Sequence, residues 1–316
     1  MAYSAFRGMK PFSQLLFTAF IAVSVFLIFQ FATAIIAIPV FGFQQVMGLL
    51  NGVNMSDPGT IRMLKFFQIS QSVSLFIVPS LLASWLLFEN TPEALCLNRP
   101  VKGIPAILVI FLVFMVNPFI NFLGGINSEF HLPEFLKGLE DWMRNAEETA
   151  GSLTEAFLKV EGVGGLIFNL FMVAVLPALG EELLFRGVIQ KILTDMTRNH
   201  HWGIWISAAL FSALHMQFFG FIPRLILGAM FGYLLVWSGS LWLPILAHFI
   251  NNATAVIALW LIDKGVISSA IEDFGTGWEY WYYALPSLVI GIFIMIIIRQ
   301  QVQKVPETIS DKPEME

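Results

Sequence analysis

The distribution of apolar residues constrains this chain more than any other feature. Eight apolar runs of about the length of a membrane span occur, at 15–40, 66–88, 104–123, 165–193, 202–219, 221–237, 241–262 and 280–298. A helix needs about 20 such residues to cross the hydrocarbon core of a bilayer. Only 12% of the residues are charged, whereas roughly 25% is typical of soluble domains. We therefore expect an all-α, multi-pass integral membrane protein of about eight transmembrane helices, surrounded by membrane lipid.

The N-terminus has some features of a secretory signal, because Arg7 and Lys10 precede the first apolar run. That run is much longer than the roughly 7–15 apolar residues of a signal peptide, and no small-residue cleavage site follows it. We interpret it as a retained membrane helix. The net charge is −5 and no Lys/Arg cluster occurs, which argues against nucleic-acid binding. The single cysteine excludes an intramolecular disulfide and a CxxC metal or redox site.

Lys and Arg in the short loops predict the orientation of the helices, because cytoplasmic loops carry an excess of both. With the N-terminus in the cytoplasm, the cytoplasmic side contains Arg7, Lys10, Arg99, Lys102, Lys191, Arg198, Arg299, Lys304 and Lys312. The opposite short loops contain only Arg62, Lys65, Arg224 and Lys264. An even number of spans returns the chain to its starting side. We therefore predict that both termini are cytoplasmic.

The sequence divides into four parts. Residues 1–126 contain the first three membrane helices, 127–164 an external segment, 165–298 the other five membrane helices, and 299–316 a polar cytoplasmic tail. In the external segment, apolar residues recur at helical spacing around and after Pro133, a favoured first-turn residue: Leu132, Phe135, Leu136, Leu139, Trp142 and Met143. This pattern predicts an amphipathic helix lying on the membrane surface. The alternative is a lid that contacts substrate.

Three groups of polar or ionisable residues stand inside the apolar runs of the C-terminal half. They are Glu181, Glu182 and Arg186 in the fourth run, His215 with the nearby Phe211 in the fifth, and His248 and Asn252 in the seventh. A charged side chain at the centre of a membrane helix costs roughly 2.5–3.5 kcal/mol on insertion scales. Glu182 and Arg186 are four residues apart and can pair on one helix face, whereas Glu181 is rotated by about 100°. Glu181 is therefore left for another partner or for a function.

The depths of these residues indicate that they can meet. At about 1.5 Å per residue, His215 lies about 20 Å from the start of its run and Glu181 about 18 Å from the end of its own. His248 and Asn252 lie roughly 10–16 Å from the start of theirs. With the assigned helix directions, all four depths are measured from the same membrane side, so the side chains can line one cavity. Each residue alone also has a structural interpretation, as an interhelical hydrogen-bonding group or, for Glu182 and Arg186, as an ion pair.

The order of these motifs resembles the CPBP (CaaX prenyl endopeptidase and bacteriocin-processing, or Abi) family of intramembrane proteases. The motifs are Glu181-Glu182-x-x-x-Arg186, Phe211-x-x-x-His215 and His248-x-x-x-Asn252. The similarity covers about residues 171–253, including Gly228, Gly232 and the stretch 238–244. It implies an endopeptidase that acts on a peptide or protein substrate, membrane-anchored or prenylated at a CaaX terminus.

The resemblance also implies a role for each residue. Glu181 is the general base, assisted by His215, while His248 and Asn252 hold the oxyanion. Glu182 and Arg186 orient the site, and the ring of Phe211 shields the imidazole on the same helix face. We expect no metal or other cofactor.

Two alternatives stay open at this stage. A zinc-dependent intramembrane metalloprotease would use His215, His248 and Glu181 or Glu182 as ligands, since three protein ligands and a water form a catalytic zinc site. The HExxH pattern is absent, however. A non-enzymatic transporter or immunity protein would use the buried ionisable groups for ion coupling. Against that alternative, the polar residues cluster at one place instead of lining a path.

Overall fold

The computed structural model describes residues 6–49, 52–101, 103–271 and 274–303. All regular structure in these ranges is helical, with nine principal helices. They are α1 (Pro11–Phe41), α2 (Pro58–Leu87), α3 (Gly103–Ser128), α4 (Lys137–Leu158), α5 (Val163–Thr197), α6 (His200–Leu214), α7 (Phe221–Ser238), α8 (Trp242–Asp263) and α9 (Trp281–Gln303). Lys102, Lys304, Lys312 and the tail beyond residue 303, all predicted to be cytoplasmic, lie outside the described residues.

Within the described ranges, seven helices are long and apolar enough to cross a membrane. They are α1, α2, α3, α5, α7, α8 and α9, where α7 and α9 are each extended at the start by a short 3-10 turn. The prediction of an all-α, multi-pass membrane protein is therefore confirmed.

The predicted span 202–219 forms the shorter helix α6, which has 15 residues. At 1.5 Å per residue it is about 22 Å long, less than the thickness of the hydrocarbon core. The helix ends because the chain turns at Met216, whose φ of 53° lies in the left-handed region. His215 therefore lies at the end of a short helix and not inside a continuous span.

Helix α5 departs from regular α-helical geometry at two places. It is π-helical over Leu170–Val175 and over Glu182–Ile189, on either side of Pro177. Because proline has no N–H, Pro177 makes no backbone hydrogen bond to the preceding turn, where Leu176 N donates to the carbonyl of Phe171, five residues earlier. In the same turn the carbonyl of Val173 accepts from Asn252 Nδ2 on α8 at 3.1 Å. This bond ties the π-helical turn of α5 to α8, and π-helical turns are frequent at functional sites.

Two glycines of α7 allow close contact with α5 and α6. A Cβ atom at Gly232 would lie 2.6 Å from Gln190 Oε1 and 2.8 Å from Ile204 Cγ2, so no larger residue fits without movement. The backbone carbonyls at these glycines are also used. Arg186 Nη2 donates to Gly228 O at 3.2 Å, and Gln190 Nε2 donates to Gly232 O at 3.3 Å. The small residues therefore set the position of the charged turn of α5 against α7.

The external segment forms helix α4 after a 3-10 turn that begins just past Pro133. Glu140 fixes the start of α4, because it accepts hydrogen bonds from Leu132 N, Arg144 Nε and His131 Nδ1 at 2.8–2.9 Å. These bonds, that from the Leu132 amide first, lower the pKa of Glu140 to about 2. Farther along, Glu147 Oε2 accepts from the amide of Phe219, in the α6–α7 connection. Helix α4 thus lies across the end of the bundle where α6 and α7 are joined.

Candidate active site

The structure brings the predicted site residues of three helices, α5, α6 and α8, together. Five of them line one cavity of about 510 Å³: Glu181, Phe211, His215, His248 and Asn252. The other two, Glu182 and Arg186, are almost completely buried beside it, with 0% and 1% of their surface exposed. The volume lies within the roughly 300–1,000 Å³ of small-ligand sites. Helices α2, α4, α5, α6, α7 and α8 all contribute to the surroundings of this cavity.

The buried centre of the site is a network around Glu182. Its Oε1 accepts from Arg186 Nη1 at 2.8 Å and lies 2.9 Å from Nδ1 of His248. The Arg186 guanidinium also lies 4.6 Å from the ring centre of Phe211, and the His248 ring stacks on Phe231 at 5.4 Å. Because an ionised carboxylate can only accept, Nδ1 of His248 is the donor. The orientation of His248 is thereby fixed, and its Nε2 is left for the cavity.

Glu181 occupies a different position from its neighbour. It is 8% exposed, borders the cavity, and has Oε2 at 3.8 Å from Nε2 of His248. Among the described residues, no protein group donates a hydrogen bond to it. A carboxylate placed in this way is free to accept a proton from a water molecule in the cavity.

His215 is held by a local hydrogen bond at the end of α6. Its Nδ1 lies 2.8 Å from the carbonyl oxygen of Phe211, and the Phe211 ring contacts the imidazole edge-on at 4.8 Å. A carbonyl oxygen only accepts, so Nδ1 carries the hydrogen and Nε2 of the neutral ring is an acceptor. His215 and Glu181 therefore present two acceptors to the same cavity.

Asn252 has a structural partner that its motif does not reveal. Its Nδ2 donates to Val173 O at 3.1 Å, and its Oδ1 accepts from Asn251 Nδ2 at 3.1 Å. A primary amide carries two N–H donors, so one hydrogen remains for the cavity. The role of Asn252 in holding an oxyanion stays a prediction, as do the catalytic roles of the other site residues.

Three cavity residues were not singled out as site residues in the sequence. Gln68 and Gln71 on α2, and Arg224 in the first turn of α7, all border the cavity of about 510 Å³. The two glutamines also border a second, mainly apolar cavity of about 430 Å³ between α1, α2, α5 and α6, which Glu181 and His215 share. In the sequence, Gln68 and Gln71 are two amides three residues apart in an apolar segment, and Arg224 lies beside the short turn between two apolar runs. Neither pattern by itself indicates a site, because only the packing of the helices places these side chains at the cavity.

The side chains are not arranged as a metal site. Within the described part of the chain, no three His, Cys, Asp or Glu side chains are placed to hold one ion. Zinc ligation by His215, His248 and Glu181 would require these groups to move together. Both the expected absence of a cofactor and the zinc alternative stay predictions.

Comparison with known proteins finds a family match over the segment that contains the site. Residues 163–254 match the family described as Type II CAAX prenyl endopeptidase Rce1-like. A relative described as the uncharacterized protein YpbD of Bacillus subtilis (strain 168) is 33% identical over 89 residues, which are 27% of this chain and 42% of that protein. The matched region thus spans less than half of the length of this relative. No solved structure matches the chain. The family match contains all seven predicted site residues and confirms the resemblance over the segment that it covers.

Proposed function

We propose, proceeding from the Rce1-like match of residues 163–254, that this chain is an intramembrane endopeptidase. Its substrates are membrane-associated or CaaX-type peptides and proteins. One observation supports the proposal most: the carboxylate of Glu181, to which no described protein group donates a hydrogen bond, and the Nε2 acceptor of His215 border the same cavity. Peptide-bond hydrolysis needs such acceptors to activate a water molecule.

The proposed reaction uses four groups. Glu181 takes a proton from a water molecule that Nε2 of His215 orients, and the water oxygen attacks the carbonyl carbon of the scissile bond. The oxyanion receives hydrogen bonds from Nε2 of His248, in the protonated ring, and from the free N–H of Asn252. The intermediate then collapses, and the proton on Glu181 passes to the leaving amine. Water is consumed, and one new carboxyl group and one new amine are released.

Glu182 and Arg186 act as positioning residues in this proposal. Glu182 fixes the ring of His248 through Nδ1, and Arg186 donates a hydrogen bond to the same carboxylate oxygen. The Nη2 bond from Arg186 to Gly228 O further fixes α5 against α7. The apolar cavity of about 430 Å³ suits the apolar part of a membrane-anchored or prenylated substrate, because it meets the first cavity at Glu181 and His215.

Orientation is a further part of the proposal. In this proposal the short helix α6 counts as the eighth crossing, because it returns the chain from the end of α5 to the start of α7, and both termini are then cytoplasmic. The cavity is bordered by α4, on the opposite side of the membrane, and substrate reaches the site from that side. Cys96 lies between α2 and α3, at the cytoplasmic end, and burial raises the pKa of its thiol. We expect labelling of Cys96 in intact cells only by membrane-permeant thiol reagents, and faster labelling at alkaline pH. Modification by an impermeant reagent would reverse the orientation.

The main test compares cells that contain the wild-type chain with cells that contain the Glu181→Gln variant. New N- and C-terminal peptides should be found only with the wild type, and the proteins that they come from are the substrates. His215→Ala should also abolish cleavage, and both variants should keep wild-type expression and thermal stability. Cleavage by Glu181→Gln at the wild-type rate would refute the proposal. Loss of ion flux instead of cleavage would favour a transporter.

Metal dependence has its own test. We expect the purified, active chain to contain no stoichiometric metal and to keep its proteolytic activity after exhaustive treatment with a zinc-specific chelator. If zinc is present and activity is lost on its removal and restored on its return, the glutamate-base mechanism is wrong. His215, His248 and Glu181 would then be ligands.

A further inference from the structure

Arg224 is a cation on the wall of the catalytic cavity that the proposed reaction does not use. It lies in the first turn of α7 and borders the cavity that also contains Glu181, His215 and His248. The side chain is half-buried. A guanidinium withdrawn from water in this way needs compensation by hydrogen bonds and by a negative charge.

The hydrogen bonds of Arg224 are incomplete. Nε donates to Gly220 O at 3.2 Å and Nη2 donates to Gln217 O at 2.9 Å, so two nitrogens are used by the α6–α7 connection. The third nitrogen, Nη1, is enclosed and has no hydrogen-bond partner among the described residues. Native structures contain few buried donors of this kind.

The charge of Arg224 has no close counter-ion in the described part of the chain, where no carboxylate lies within 4.0 Å of its guanidinium and Glu147 and Glu181 act on it only over a longer distance. Arg186 and Arg144 differ, because Arg186 contacts Glu182 at 2.8 Å and Arg144 contacts Glu140 at 2.7 Å. Glu147 on α4 accepts a hydrogen bond from the amide of Phe219. The cavity therefore contains a guanidinium at Arg224 with no carboxylate within 4.0 Å among the described residues, whereas Glu181 has Nε2 of His248 at 3.8 Å.

We propose that Arg224 binds the free C-terminal carboxylate of the peptide substrate, on the leaving-group side of the scissile bond. This inference rests on the proposed endopeptidase function and adds a specificity determinant to it. A guanidinium binds a carboxylate through charge-assisted hydrogen bonds, which are stronger than neutral ones. Both Arg224 and the reacting groups border one cavity of about 510 Å³. Because one extended residue spans about 3.4 Å, only a few residues separate the carboxylate from the bond that is cut.

A purely structural role for Arg224 makes a different prediction. If its bonds to Gln217 O and Gly220 O only hold the turn after His215, a substitution should affect all ligands equally. If Arg224 binds the substrate carboxylate, the effect should depend on the charge at the end of the peptide. The experiment must therefore compare ligands as well as variants.

Binding is measured in the full-length Glu181→Gln variant, purified in detergent, so that peptides stay intact. The probes are one CaaX-type peptide as a C-terminal free acid, the same peptide as a C-terminal amide, and an amide with glutamate as its last residue. We expect the free acid to bind about 10- to 100-fold more tightly than the plain amide, as for a hydrogen bond between charged groups. The glutamate amide should bind like the plain amide.

Substitution of Arg224 then tests the assignment. Adding Arg224→Gln should reduce the ratio of acid to amide affinity to about 1, and Arg224→Lys, which keeps the charge, should retain part of it. Arg62→Gln is the matched control, because Arg62 is an exposed arginine of α2 that does not border the cavity. It should leave the ratio unchanged.

Three results would overturn the proposal: equal binding of acid and amide, a ratio that Arg224→Gln leaves intact, or a glutamate amide that binds like the free acid. Proteolysis by the wild type is scored separately. If it cleaves acid and amide equally well, the endopeptidase stands and the carboxylate site is wrong. If it cleaves no peptide but the affinity ratio depends on Arg224, the carboxylate site stands and the proposed reaction is wrong.

Discussion

Removal of Arg186 should destabilise the fold strongly. The residue is 1% exposed and makes two polar contacts, to Glu182 Oε1 at 2.8 Å and to Gly228 O at 3.2 Å, and a cation–π contact to Phe211 at 4.6 Å. Arg186→Ala leaves the carboxylate of Glu182 completely buried without its arginine partner. Its second oxygen, Oε2, already has no partner among the described residues. The only remaining compensation for the charge would come from His248.

The expected loss in the free energy of unfolding is about 3–5 kcal/mol, as for a buried ion pair from which one partner is removed. Reversible unfolding of the purified chain at neutral pH, titrated with a denaturing detergent, measures this loss. The double variant Glu182→Gln/Arg186→Ala should be more stable than Arg186→Ala alone. A neutral glutamine needs no cation, and its carbonyl oxygen still accepts a hydrogen bond from Nδ1 of His248.

Arg62→Ala is the matched control, because Arg62 is exposed on α2. Its effect should stay within about 0.5 kcal/mol. A loss below about 1 kcal/mol for Arg186→Ala would contradict the argument. A double variant Glu182→Gln/Arg186→Ala that is less stable than Arg186→Ala would also contradict it. The loss in the free energy of unfolding would then not arise from the unpaired carboxylate of Glu182.

Three further outcomes are expected. In the same titration, Gly232→Ala should lower the free energy of unfolding by about 1–3 kcal/mol, because the new Cβ overpacks the contact. Gly124→Ala, where no atom lies within 4 Å of the new Cβ, should not lower it. Equal losses for the two variants would contradict the close approach of α7. Asn252→Ala should lower the free energy of unfolding by about 1–3 kcal/mol, because Val173 O loses its donor. A loss within about 0.5 kcal/mol, as for an exposed residue, would contradict a structural role of this bond. The stabilisation of α4 by Glu140 is fully present above its usual pKa of 4.5 and is lost as pH falls through about 2. Hydrogen exchange in the first turn of α4 should therefore be faster in Glu140→Gln than in wild type at pH 7, and a difference that persists at pH 2 would argue against this role.

The sequence alone predicts most of the helices because a membrane helix is defined by its own composition. The apolar runs at 15–40, 104–123 and 241–262 correspond to Pro11–Phe41, Gly103–Ser128 and Trp242–Asp263. The run at 202–219 differs, because hydropathy does not register the left-handed turn at Met216. The start of α2 at Pro58 is also earlier than the apolar run at 66–88, because Asp57 caps polar turns that hydropathy excludes.

For the site, the sequence determined which residues share a helix face, since that depends only on 3.6 residues per turn. The spacing therefore predicted the contact between Glu182 and Arg186, and also the proximity of Phe211 to His215. Only the tertiary structure decided which helices meet and at what register. Close packing at Gly228 and Gly232 sets the position of α7 against α5. In the resulting arrangement His248 contacts Glu182, and Glu181 lies at the cavity.

Asn252 illustrates the limit of sequence reasoning at this site. The spacing of four residues places Asn252 on the same helix face as His248, and the motif that contains it predicts a catalytic role. Its contact with Val173 O depends on α8 lying beside the π-helical turn of α5. Local spacing fixes the face of each helix, whereas contacts between residues 79 positions apart depend on how all the helices pack.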